Sequence, residues 1–85
     1  MERPVFLARC YEVCNQAGKK LPELVMEKAF AFAWEVMNYG HNPKATEETV
    51  SEAVADMYIS LMAIAYAFDL KSETVGKIIE RQLGG

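Results

Sequence analysis

Two long segments flank the breaker cluster Gly40-His41-Asn42-Pro43, and in each of them apolar residues cover most of a helix circumference. Phe30, Phe32, Trp34, Val36 and Met37 lie before the cluster. Met57, Tyr58, Ile59, Leu61, Met62, Ile64, Tyr66 and Phe68 lie after it. A helix that is apolar all round must be covered on several sides. One neighbour cannot do that, and 85 residues leave little chain to supply others. The pattern therefore predicts a homo-oligomer, most simply a two-fold dimer.

The punctuation of the chain predicts four helices. Pro4 suits a first turn, Phe6, Cys10, Val13, Cys14 and Ala17 recur at helical spacing, and Gly18 supplies a stop. Pro22 opens a second helix that runs from about Glu23 to Tyr39. Thr46 is an N-cap for a third, with Glu47 and Glu48 in its first turn where the helix dipole favours negative charge. That helix should run to about Phe68. Ser72 then caps a fourth, which carries Val75, Ile78, Ile79 and Leu83. The fold class is all-α, one domain over residues 1–85, built on a long antiparallel hairpin of the second and third helices, because a short connection makes neighbours antiparallel. With the turn centred near Pro43, Glu35 should face Ser51 and Glu52, and Ala31 should face Ala55 and Asp56.

Composition narrows the function. Hydrophobic residues make up 52% and charged residues 25%, so the chain should fold. The net charge is −3 and only Lys19-Lys20 places two of the nine basic residues side by side, which disfavours a nucleic-acid polymer as partner. No basic segment precedes an apolar stretch at the start, so a cytoplasmic location is expected. The apolar region Ala53 to Leu70 is interrupted by Asp56, Ser60 and Asp69, which predicts a core helix and not a membrane span. Cys10 and Cys14 are read as reduced, buried thiols, and His41 as a turn residue.

The chemistry-bearing candidates are acidic. Glu52 and Asp56 are four apart and share one face of an otherwise apolar helix. A buried carboxylate there needs a partner or a cation. Glu27 and Glu35, eight apart, differ by roughly 80° in direction at about 100° per residue, so up to four carboxylates could line one groove.

The stretches Ala29 to Val36, containing Glu35, and Ser51 to Leu61, containing Asp56, resemble the paired acidic motifs of the MazG-like all-α nucleoside triphosphate pyrophosphohydrolases. Lys20-Leu21-Pro22-Glu23-Leu24 and Phe68-Asp69-Leu70 also sit where that family would put them, so the likeness spans about residues 16–82. Ala31, Phe32 and Ala53 stand where the family carries acids, and Glu52 falls one residue early. The resemblance implies Mg²⁺-dependent attack of water on a nucleotide α-phosphorus, releasing pyrophosphate and a monophosphate. Glu35, Glu52 and Asp56 would be the metal ligands and Glu27 a fourth. Lys77 or Arg81 would meet the phosphates, and Trp34 or Tyr58 would stack a base. The alternative is a non-catalytic oligomeric module that binds a nucleotide or a protein.

Overall fold

The computed structural model describes residues 2–84. Among them there are four α-helices and no strand: α1 (Arg3–Asn15), α2 (Leu21–Asn38), α3 (Glu47–Ala67) and α4 (Ser72–Gln82). The all-α expectation holds, and each boundary has a local cause. Pro4 and Pro22 sit in the first turns of α1 and α2, where a missing N–H costs nothing. Thr46 caps α3 by accepting a hydrogen bond from the Thr49 N–H at 3.2 Å, while the Thr49 hydroxyl accepts from the Thr46 N–H at 2.8 Å. His41 lies in the turn after α2, its N–H donating to the Asn38 carbonyl at 3.0 Å.

Two helix ends differ from expectation. Ser72 is the first helical residue of α4 and not its cap, because the extended backbone of Lys71 (φ −86°, ψ 128°) already occupies the cap position. The third helix stops at Ala67 through a left-handed Asp69 (φ 52°). There the Leu70 N–H donates to the Ala65 carbonyl at 2.9 Å and the Asp69 N–H to that of Tyr66 at 3.2 Å, the paired bonds that close a helix when a left-handed residue follows it.

α3 is the organising element, packing against α1 on one side and α2 on another. α1 meets it through Cys10 and Cys14, which join Leu24 of α2 and Ala63 of α3 in a small buried cluster flanked by Phe6, Tyr11, Ile59 and Met62. Small side chains at this crossing, Ala63 fully buried and Ser60 nearly so, let the backbones approach. The Ser60 hydroxyl satisfies itself by donating to the Met57 carbonyl at 2.9 Å. Two aromatic pairs reinforce the contact, Phe6 with Tyr58 (centroids 6.2 Å) and Tyr11 with Tyr66 (5.1 Å).

α2 meets α3 with contacts that step in opposite chain directions: Glu35 with Thr49, and Lys28 with Asp56. Both pairs centre on Asn42. The levels expected from a turn centred near Pro43 therefore hold to within one turn, the centre falling at Asn42, whose side-chain oxygen accepts from the Lys44 N–H.

α4 does not pack along the other three helices; only its first residues, Ser72 to Thr74, line a cavity of about 620 Å³ with Arg3, Pro4 and Leu7 of α1 and Ala65 and Tyr66 of α3. The apolar residues of α4, Val75, Ile78, Ile79 and Leu83, are exposed. The expectation that α3 is a core helix also needs correction, since only Ala53, Ser60 and Ala63 of it are buried. By length and composition alone, α3 is apolar enough to cross a membrane.

The chain is open for its size. It exposes 6611 Å², whereas a folded monomer of 9.6 kDa should expose about 5,100 Å². The excess is about 1,500 Å². The radius of gyration is 14.7 Å, against about 12 Å for a compact chain of this length. Large apolar side chains are among the exposed residues: Met37 is 76% exposed, Phe30 71% and Phe68 68%.

Candidate functional site

The register between α2 and α3 brings three of the four candidate acids to one place. Glu35, Glu52 and Asp56 line a shallow recess of about 170 Å³ together with Lys28, Ala31, Thr49 and Ala53. Glu35 accepts a hydrogen bond from the Thr49 hydroxyl at 2.7 Å. Lys28 lies 3.6 Å from the Asp56 carboxylate, and both side chains are partly exposed. Such a pair contributes at most about 1 kcal/mol and yields readily to a stronger cation. Glu52 makes no hydrogen bond or ion pair among the described residues.

The donor set does not close on a cation. Among the described residues no three acidic, histidine or cysteine side chains gather as a metal site. Ala31 and Ala53 present methyl groups to the recess where carboxylates would complete it. Its volume suits a hydrated cation or one phosphate group and falls well below the roughly 300 Å³ at which small-molecule pockets begin.

The remaining candidates lie elsewhere. Glu27 pairs with Lys19 at the start of α2, and that hydrogen bond and charge hold its carboxyl below the usual range. Tyr58 tilts against Phe6 of α1. Trp34 is half exposed on α2. Lys77 and Arg81 sit on α4, which contributes no residue to the acid recess and does not pack along α2 or α3, so within one chain nothing carries them to the acids. Lys28 and Thr49 are the recess residues that sequence reasoning missed. A signal existed for each: Lys28 is seven residues before Glu35 and so shares its face, and Thr49 is three after the Thr46 cap.

Cys10 and Cys14 are free and buried, as the sequence suggests. Burial raises both thiol pKa values, and for Cys14 the neighbouring Cys10 adds to the rise while Lys28 opposes it. Each folded pKa lies above that of the unfolded chain, near 8.5. The linked stability is therefore fully present below that value and is lost as pH rises through the window above it. Urea midpoints should fall between pH 8 and pH 10 in the wild type and fall less in Cys10→Ala/Cys14→Ala. A parallel decline in both would remove the thiols as the cause.

No family model, curated protein or solved structure matches this chain.

Proposed function

We propose that this chain acts as a cytoplasmic, self-associating helical module in which α2 and α3 form the antiparallel hairpin at the centre of a homo-oligomer, most simply a dimer. One observation carries the reading: the excess exposed surface of about 1,500 Å² per chain. A standard interface removes about 800 Å² from each partner, so the excess is more than a stable dimer needs. Large apolar side chains, among them Met37, Phe30 and Phe68, are exposed on this surface, and water-exposed patches of that kind mark association surfaces. Sedimentation velocity at tens of micromolar should give a dimer or higher closed oligomer near 20 kDa or above. A homogeneous species of one chain's mass would defeat the proposal.

A second reading is supported by a different observation, the meeting of Glu35, Glu52 and Asp56 with Lys28 and Thr49 in one recess. In it the oligomer is a MazG-like protein that takes the phosphates of a nucleoside triphosphate with Mg²⁺, as an enzyme or as a binding module. The single-chain geometry does not fit the metal, so no catalytic step is built on it. A panel of nucleoside triphosphates with Mg²⁺ should raise the melting temperature by several degrees if the recess binds them, because a ligand of the native state stabilises it by mass action. Asp56→Ala should abolish the shift. Pyrophosphate release separates the enzyme from the binder, and an unchanged melting temperature at millimolar ligand would leave the association module alone.

A further inference from the structure

The seam that joins two copies can be read from α3. Val50, Val54, Met57, Leu61, Ile64 and Phe68 follow one another at intervals of four, three, four, three and four residues. This is the spacing that keeps one stripe facing a partner helix. At about 100° per residue these six positions fall within one arc of roughly 80°. The side of α3 that meets α2 carries Thr49 and Asp56, and the side that meets α1 carries Tyr58, Ile59, Met62, Ala63 and Tyr66. None of the six belongs to either set. Val54, Leu61 and Phe68 are 49%, 47% and 68% exposed, while Val50, Met57 and Ile64 are already half-buried within the chain.

We infer that a second copy of this chain docks along that seam, with the two α3 helices antiparallel about a two-fold axis at the level of Ile59. The stripe is self-complementary about that level. Val50 meets Phe68 and Val54 meets Ile64, each a smaller residue opposite a larger one, and Met57 meets Leu61, a pair of similar volume. No charged residue lies in the stripe over about 27 Å of helix. The excess surface of about 1,500 Å² belongs to the whole chain, α4 included, and it exceeds the roughly 800 Å² per partner that a standard dimer removes, which is the area argument for a second copy as occupant. A bilayer is disfavoured because Glu52 and Asp56 lie on the same helix, and one carboxylate near the middle of a spanning segment costs about 2.5–3.5 kcal/mol by insertion scales.

The inference rests on the self-association proposed above, and the test separates the two. Wild type, Leu61→Glu and Phe30→Glu are sized by sedimentation velocity, with circular dichroism to establish that each is helical. Phe30 is 71% exposed on α2, turned away from the α3-facing residues Leu24, Ala31 and Glu35. Leu61→Glu should raise the dimer dissociation constant on the order of 100-fold or more, since the two-fold places two charges in the apolar seam. Phe30→Glu should change it by less than about threefold, as a substitution outside an interface does. A dimer broken by Phe30→Glu and untouched by Leu61→Glu overturns the seam and leaves self-association standing. A monomeric wild type, or one that floats with phosphatidylcholine vesicles in place of dimerising, overturns both. The register is tested without perturbing the fold by Val54→Cys/Ile64→Cys. These positions are about 15 Å apart along one helix, too far for an internal bond, yet adjacent across the axis within the roughly 7 Å limit for a disulfide. Mild oxidation should yield a covalent dimer, and a monomer alone would overturn the antiparallel register.

Discussion

Leu24→Ala should lower the unfolding free energy by about 2–5 kcal/mol, the range for truncating a buried leucine. Leu24 is the only large aliphatic side chain among the described buried residues; the others are Cys10, Cys14, Ala45, Ala53, Ser60 and Ala63. It fills the place where α1, α2 and α3 meet. Its buried neighbours Cys10, Cys14 and Ala63 are too short to fill the space it leaves, and the larger flanking side chains Phe6, Tyr11, Ile59 and Met62 set how far the site can collapse and so where in that range the loss falls. A chain of this length has on the order of 4–13 kcal/mol in total, so the loss is a large share of the whole. Urea unfolding followed by circular dichroism measures it. A fall below about 1 kcal/mol would mean that the three-helix cluster is not what holds the chain together.

The helices were legible because their signals are local. Pro4, Pro22 and Thr46 mark starts whose physics acts within one turn. Buried, free Cys10 and Cys14 follow from the same periodicity. Register was less legible. Ala31 and Asp56 do line one recess, but the levels could be read only to within a turn, and the long side chain of Lys28, one turn earlier on α2, is what reaches Asp56. A carboxylate read as needing a partner or a cation thus meets an ammonium group on the neighbouring helix. The detachment of α4 was not legible at all, since an amphipathic pattern states which face seeks cover and nothing about where the cover stands. The same limit explains α3. Its apolar circumference was read as burial, and in one chain most of it is open.

Thermal unfolding of the wild type should depend on protein concentration, and this is the second large effect expected. When the native state is a dimer and the unfolded chain is not, association adds stability by mass action. A hundredfold rise in concentration adds roughly 2.7 kcal/mol per dimer. For a domain of under 100 residues, 1 kcal/mol moves the melting temperature by about 4–8 °C. Shared between two chains, the increment should therefore raise the midpoint by roughly 5–10 °C between 1 and 100 µM. The logic runs back to the surface of α3. One chain leaves Val54 and Leu61 nearly half exposed and Phe68 more than half, and covering them is what the second copy contributes to folding. Leu61→Glu should flatten the concentration dependence while leaving the dilute-limit midpoint nearly unchanged, because the side chain is already half in water there. A wild-type midpoint that is constant across the range would show that the apolar surface is tolerated in water as it stands, and the case for a partner along this helix would fail.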